Sequence, residues 1–178
     1  IITLNKNDGS KIKEFIDLTS VANEYNLKLF HMDSYSLKSK EDFNFFQSNE
    51  FDFVIVAGWG RLIPENLIKM NNTKYIGWHG GPFLPPRCRG RAVVNWAIIN
   101  NDSDFFVYAM HLDSGVDSGK IIDISSLNIQ GDETAQSLYI KCALEISKLF
   151  KNIILNGKNN KGYSQPSSGE TYLPKRSP

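Results

Sequence analysis

The run FDFVIVAG at residues 51–58 constrains the fold of this 178-residue chain more than any other feature. It is continuously apolar and rich in β-branched side chains, a pattern typical of a strand buried on both faces of a parallel sheet. Such a sheet needs helices packed against both of its faces. We therefore predict an α/β architecture built around this strand.

The segments on either side alternate between strand-like and helix-like patterns. Further strands are predicted in IITLN, LKLFH, TKYIGWH, DFFVYAMHLD and KIIDISSLNI. Helices are predicted to begin at Thr19, Ser39 and Pro64, and another covers RAVVNWAIIN. Alternation of this kind predicts a Rossmann-like, mostly parallel sheet with helices on both faces.

The C-terminal part of the domain is predicted to be one long amphipathic helix. It runs from Glu133 to Asn156, with Asp132 as its cap and Gly157 at its end. Its apolar positions recur at helical spacing, and they are Leu138, Cys142, Ile146, Leu149 and Ile153.

The two ends of the chain set the expected domain limits. Residues 1–157 are predicted to form one domain, and residues 158–178 a polar tail or linker, because SQPSSGETYLPKRSP is polar and broken by prolines. A doubly wound fold usually opens with a strand, a glycine-rich turn and a helix. None of these precedes Ile1, so the first strand and helix are expected to be missing upstream.

Composition excludes several classes of function. The formal net charge of +1 gives no broad basic surface, which argues against nucleic acid as the partner. The apolar runs are too short to span a bilayer, so no membrane association is expected. Cys88 and Cys142 lack metal-ligand spacing, which favours reduced thiols in a cytoplasmic protein.

Three predicted loops at strand ends carry an unusual share of special residues. They are AGWGRLIP, HGGPFLPPRCRG and LDSGVDSG, and strand ends are where sheets of this kind bind ligands. His79 stands where the second loop begins, and Asp117 lies in the third. A carboxylate beside an imidazole could orient the ring and stabilise its charge during proton transfer. On spacing alone, a structural role for each residue is the favoured interpretation.

The sequence motifs around His79 and Asp117 narrow the choice between a catalytic and a structural role. WHGGPFLPPRCRGRAVVNWAIINND, followed by MHLDSGVDSGKII, resembles the folate-dependent formyltransferase family, whose pattern is Asn-x-His, a Leu-Pro loop, an Arg-Gly pair, a helix and a later Asp-x-Gly. DFVIVAGWGRLIP and the C-terminal QPSSGETYLPKRSP are also similar to segments of that family. Members act on methionyl-tRNA, glycinamide ribonucleotide and nucleotide-sugar amines, and HGG with RGRAVVNWAIIN is most similar to the sugar-amine branch.

The resemblance implies the formyltransferase fold, formyltetrahydrofolate as one-carbon donor and no metal. It implies transfer of the formyl group to a primary amine of a small phosphorylated or nucleotide-linked substrate, through a tetrahedral intermediate. His79 matches the catalytic histidine of the family, and Asp117 matches its aspartate. A homodimer is left open.

The remaining site residues follow from the same resemblance. Five residues are expected to hold the folate, namely Gly58, Trp59, Leu62, Ile63 and Asp113. The acceptor is expected to meet Phe83, Leu84 and Arg89. Core packing for the apolar residues and turn formation for Asp113 remain open alternatives. His31 and His111 lack a motif and are expected to be structural.

One position departs from the family pattern, since Gly77 stands where the family carries the asparagine of Asn-x-His. Loss of one oxyanion donor costs about 10² to 10³ in rate. Three alternatives accompany the sugar-amine prediction. They are a methionyl-tRNA formyltransferase from which a tRNA-binding domain has been trimmed, a folate-binding relative with impaired catalysis, and an ordinary dinucleotide-binding domain. The last would carry Gly-x-Gly-x-x-Gly after its first strand, which this sequence does not contain.

Overall fold

A computed structural model describes residues 1–12 and 15–176, apart from the side chain of Lys158. The chain divides into two compact units. The first comprises residues 1–50 and 60–71, and the second residues 51–59 and 72–178. In the described residues no helix has the length and apolar character needed to cross a membrane.

The first unit pairs two short strands and carries four helices. Its elements are β1 (Ile2–Leu4), α1 (Lys6–Gly9), α2 (Thr19–Glu24), β2 (Phe30–Met32), α3 (Lys40–Ser48) and α4 (Glu65–Ile68). β1 and β2 run parallel, with Ile2 opposite Phe30. The predicted Ser39 cap of α3 is confirmed, because its side chain accepts a hydrogen bond from Asp42 N at 3.0 Å. Asp17, rather than Thr19, supplies the side-chain acceptor at the start of α2, bonding Thr19 N at 3.0 Å.

The second unit contains a four-stranded sheet and two packed helices. Its elements are β3 (Phe53–Ile55), β4 (Lys74–Gly81), β5 (Arg89–Gly90), α5 (Val93–Ile99), β6 (Asp104–His111), β7 (Ile121–Asn128), α6 (Ala135–Asn156) and β8 (Tyr172–Leu173), with a short 3-10 helix at Gly157–Asn159. The sheet order is β3-β4-β6-β7, and β5 pairs separately with β8.

The α/β class is confirmed. Parallel pairing joins β1 to β2, β3 to β4 and β5 to β8. β6 is antiparallel to both β4 and β7. The short LDSGVDSG loop joins β6 to β7 as a hairpin, which makes that pair antiparallel. The strand predicted over 51–58 is shorter than expected and only half-buried, since β3 stands at the edge of this sheet.

One face of the sheet is covered by α5 and α6. Val94 and Ala97 of α5, Phe105 and Val107 of β6, and Leu138 and Cys142 of α6 form a single buried cluster. The predicted stripe of α6 is confirmed, because all five of its side chains are buried. The cap of this helix is Thr134, not Asp132, and its hydroxyl accepts from Ser137 N at 3.1 Å.

Residues 158–176 belong to the second unit and are joined to its other elements by several hydrogen bonds. Tyr163 exchanges two backbone hydrogen bonds with Ile121, and β8 pairs with β5. The Trp96 indole N–H donates to the Pro174 carbonyl oxygen at 3.0 Å. This polar segment therefore packs on the domain although it builds no core of its own.

Candidate active site

His79 lies inside β4 rather than at the end of the strand. We expected the strand to give way to a loop at His79, but β4 continues through Gly80 and Gly81, which pair with Val107 and Phe106 of β6. The residue directly opposite His79 is Tyr108. Because side chains alternate across a strand, His79 and Tyr108 face away from the cluster under α5 and α6.

The two ring nitrogens of His79 have different neighbours. Nε2 lies 2.8 Å from the carbonyl oxygen of Cys88, and Nδ1 lies 3.5 Å from Oδ2 of Asp117. The His79 side chain is 9% exposed and that of Asp117 is 21% exposed. The structure thus brings together the histidine and the aspartate that the sequence singled out.

The protonation pattern of the ring follows from its partners. A carbonyl oxygen only accepts hydrogen bonds, so Nε2 carries the hydrogen in its contact with Cys88. Nδ1 therefore carries a second hydrogen toward Asp117 only in the imidazolium. Both ring nitrogens thus face acceptors of the protein, so a ligand oxygen would receive a hydrogen bond from His79 only by replacing one of them.

Asp117 is positioned by its loop and by β5. Its backbone has a φ of +50°, in the left-handed region that non-glycine residues rarely adopt. The Gly90 backbone N–H donates to Asp117 Oδ2 at 3.0 Å, so this oxygen serves both Gly90 and His79. Asp113 Oδ1 accepts from Gly115 N at 3.0 Å and from the Ser118 hydroxyl at 2.7 Å, which closes the turn that carries Asp117.

Gly77 is buried in β4, two residues before His79 and on the same face. A β-carbon at this position would lie 2.5 Å from Leu112 Cδ2 and 3.3 Å from Leu112 Cγ. The leucine side chain therefore fills the place where the asparagine of the family pattern would begin. The group nearest to that position is therefore apolar.

Tyr108 adds a second polar group that has no counterpart in the sequence prediction. Its ring lies edge-on to the His79 ring, with centroids 5.8 Å apart. Its hydroxyl is buried and has no hydrogen-bond partner among the described residues. Burial and, secondarily, the Asp117 carboxylate raise the pKa of Tyr108 above its ordinary value, so this phenol stays protonated.

Arg89 is buried and engaged within the fold. Its guanidinium donates to the Gln165 side-chain oxygen at 2.7 Å and to the Tyr172 hydroxyl at 3.3 Å, and it lies 3.5 Å from a Glu170 carboxylate oxygen. The backbone of Arg89 belongs to β5, which also supplies the Gly90 N–H to Asp117. Contact between Arg89 and the acceptor stays a prediction.

Phe83 and Leu84 lie exposed on the loop that follows β4. Their exposed fractions are 40% and 51%. The Arg87 guanidinium carbon stands 3.7 Å from the centre of the Phe83 ring, a cation–π contact. Both apolar side chains are thus accessible to a ligand, as the acceptor prediction requires, and their role stays a prediction.

The four residues expected to hold the folate on the β3 side divide between the two units. Gly58 and Trp59 end the β3 segment of the second unit, and Leu62 and Ile63 belong to the first. Gly58 has a φ of +73° and open space where a side chain would begin. Leu62 is exposed, whereas Ile63 is 7% exposed and buried as a core residue. Their role toward the folate stays a prediction.

The sequence prediction missed the backbone partners of the pair. The Cys88 carbonyl and the Gly90 N–H carry no side-chain signal, and Gln165 lies 48 residues from Asp117. Cys88 itself shows no sign of a nucleophile, because it is buried and burial raises the pKa of its thiol.

Comparison with known proteins identifies the family. Residues 6–154 match the family model described as formyl transferase. Methionyl-tRNA formyltransferase of Myxococcus xanthus is 34% identical over 126 residues, which cover 69% of this chain and 39% of that protein. The chain therefore spans about two fifths of the length of this curated relative. The chain belongs to the formyl transferase family.

Solved structures of family members share the fold. WlaRD, a sugar 3N-formyl transferase solved with dTDP and 5-N-formyl-THF, matches with a TM-score of 0.70 at 21% identity, over 97% of this chain and 58% of that chain. The N-formyltransferase from Helicobacter canadensis, solved with folinic acid and dTDP-3-aminofucose, matches with a TM-score of 0.68 at 21% identity, over 95% and 58%. The predicted family and fold are confirmed.

Proposed function

We propose that this protein transfers the formyl group of formyltetrahydrofolate to a primary amine, with a nucleotide-linked amino sugar as the favoured acceptor. The observation that carries the proposal is the His79–Asp117 pair. It is fixed from three sides by the Cys88 carbonyl, the Gly90 N–H and the Asp113 turn. Formyl transfer needs a group of this kind, able to stabilise negative charge and to handle the proton of the attacking amine.

The chain's own residues have distinct roles in this proposal. The donor supplies an electrophilic formyl carbon when it is bound. His79 turns one ring N–H from its protein acceptor to the oxygen that gains negative charge. Asp117 orients the His79 ring, takes up the proton of the attacking amine directly or through a water, and passes it to the nitrogen of tetrahydrofolate that leaves as the formyl C–N bond of the donor breaks.

The backbone at Gly58 is compatible with a flat heterocyclic ligand such as the folate. Gly58, at the carboxyl end of β3, has a left-handed backbone and nothing within 4 Å of the position of a β-carbon. Backbone groups there are open to a ligand, as expected at the strand ends of an α/β sheet.

Two observations bear on the acceptor. The net charge of +1 gives no general electrostatic preference for RNA, and WlaRD and the Helicobacter canadensis enzyme were solved with sugar nucleotides or their nucleotide part. The curated relatives, in contrast, are methionyl-tRNA formyltransferases. Methionyl-tRNA is therefore the second candidate acceptor.

Impaired catalysis is the second candidate function, because Gly77 stands where the family pattern has an asparagine, and Leu112 lies next to it. One assay separates these alternatives. Release of tetrahydrofolate is followed after the protein is mixed with formyltetrahydrofolate and, in turn, dTDP- and UDP-linked amino sugars, glycinamide ribonucleotide and methionyl-tRNA. A sample without amine controls for hydrolysis of the donor.

The proposal expects release with a sugar-linked amine. Release with methionyl-tRNA alone would transfer the assignment to that acceptor. Folate binding without release with any amine would support an impaired relative, and failure to bind folate at all would overturn the proposal.

A further inference from the structure

The segment that positions the His79–Asp117 pair is held in turn by the C-terminal residues of the chain. Cys88, Arg89 and Gly90 form this segment, which offers its Cys88 carbonyl to His79 and its Gly90 N–H to Asp117. The Thr171 hydroxyl accepts from Cys88 N at 2.9 Å, and the Thr171 carbonyl accepts from Arg89 N at 2.9 Å. β8 therefore fixes the register of the backbone that contacts both members of the pair.

Gln165 links this arrangement to the Asp117 loop. Its side-chain amide donates to the Asp117 carbonyl at 2.8 Å and to the Gly119 carbonyl at 2.9 Å. Its side-chain oxygen accepts from Arg89 Nη2 at 2.7 Å. Both amide hydrogens of Gln165 thus bond the loop that carries Asp117. Its side-chain oxygen bonds Arg89 of β5, the strand whose Gly90 N–H bonds the Asp117 carboxylate.

The backbone of Asp117 needs such external support. Non-glycine residues adopt the left-handed region only uncommonly, and Asp117 has a φ of +50°. Gln165 holds the Asp117 carbonyl, and the Gly90 N–H holds its carboxylate. These two contacts lie on opposite ends of the same residue and together fix the direction of its side chain.

We propose that Gln165 is a positioning residue that holds the Asp117 carboxylate against His79 by joining the Asp117 loop to β5. The kinetic part of this inference rests on the formyl transfer proposed above. In this role Gln165 acts on the reaction through Asp117, and its contact with Arg89 anchors it to β5.

The Gln165→Glu substitution separates the hydrogen bonds that Gln165 donates from the one that it accepts. In Gln165→Glu the side chain still accepts from Arg89, but it cannot donate and it places negative charge beside two carbonyl oxygens. In Gln165→Ala both halves are lost. Gln136 is exposed on the first turn of α6, so Gln136→Glu is the matched control for added charge.

Two readouts test the proposal on the full chain. The first is amide hydrogen exchange at Gly90, whose N–H bonds the Asp117 carboxylate. We expect exchange to rise about tenfold in Gln165→Glu and Gln165→Ala, as for loss of one hydrogen bond. The second is formyl transfer with the best acceptor, for which kcat should fall about 10- to 100-fold with little change in KM, as expected for a misplaced catalytic group.

A double-mutant cycle distinguishes positioning from a general loss of structure. In an Asp117→Asn background, Gln165→Glu should lower kcat no further, because the carboxylate that Gln165 positions is already gone. An equal loss of kcat in both backgrounds would overturn the proposal, as would wild-type exchange at Gly90 together with wild-type kcat in both Gln165 variants. Raised Gly90 exchange in a protein that transfers no formyl group would uphold the positioning role and reject the proposed function.

Discussion

The side chain of Leu112 occupies the space that a side chain at position 77 would need, with Leu112 Cδ2 only 2.5 Å from where a β-carbon would lie. A side chain at position 77 would therefore have to displace the side chain of Leu112, which is partly buried. The face of β4 that carries His79 also carries Tyr75 and Gly77, and Leu112 lies next to Gly77.

This relationship predicts strong coupling between the two positions. Gly77→Asn is expected to lower the free energy of unfolding by about 1–3 kcal/mol through overpacking against Leu112. Leu112→Ala opens the space, so the double variant should be more stable than the sum of the two single changes by about 1 kcal/mol or more. Urea unfolding of the wild type, both single variants and the double variant measures this coupling, and strictly additive changes would contradict it.

The hydroxyl of Tyr108 predicts a stabilising substitution. It is buried without a hydrogen-bond partner among the described residues, and an unsatisfied buried polar group is unfavourable. Tyr108→Phe should raise the free energy of unfolding by about 1 kcal/mol. Tyr172→Phe is the control, because its hydroxyl accepts from Arg89 and its removal should bring no gain. A loss of stability in Tyr108→Phe would show that the hydroxyl has a favourable partner.

The start of α6 provides a test that separates two neighbouring caps. Thr134 forms a reciprocal capping box with Ser137, whereas the sequence favoured Asp132. Thr134→Ala should lower the free energy of unfolding by about 1 kcal/mol. Asp132→Ala should change it by less than about 0.5 kcal/mol, as for ordinary surface substitutions. Thermal or urea unfolding measures both, and the reverse order would place the cap at Asp132.

The buried thiol of Cys142 predicts a loss of stability at alkaline pH. Burial raises its pKa to about 12, while a thiol in the unfolded chain ionises near about 8.5. The folded state keeps its proton longer, so this contribution is complete below about pH 8.5 and falls by up to about 1.4 kcal/mol per pH unit above it.

Urea unfolding between pH 8 and 10 measures that slope. Cys142→Ala serves as the control, because Cys88 and the other titrating groups remain in both proteins. The variant should show the shallower decline, and equal slopes would mean that the Cys142 thiol ionises alike in folded and unfolded chains.

The sequence predicted what depends on local pattern. The stripe of α6 and the Ser39 cap follow from neighbouring residues, and both are present. The predicted end of β4 was wrong. Gly80 and Gly81 continue the strand because they pair with β6, which lies about 25 residues further along the chain. The prediction of the α6 cap was wrong. Asp132 and Thr134 are both good capping residues, and Thr134 caps the helix because Ser137 is its hydrogen-bond partner.

The support of the site depends on long-range backbone contacts that no residue pattern encodes. Asp117 and His79 could be paired from the family resemblance, but the Gly90 N–H and the Cys88 carbonyl act through main-chain atoms. Gln165 lies in a stretch whose polar composition suggested a tail. Its hydrogen bonds to Asp117 and Gly119 become visible only once β8 is paired with β5.

The rate of tetrahydrofolate release at saturating donor and acceptor, compared between the wild type and Asp117→Asn, tests the account most directly. The substitution keeps the size of the side chain and removes the negative charge beside His79. General acid–base groups contribute about 10² to 10⁴ in rate, so kcat should fall by that factor, and His79→Gln should fall comparably. Wild-type release by both variants would contradict the assignment of this pair as the catalytic centre.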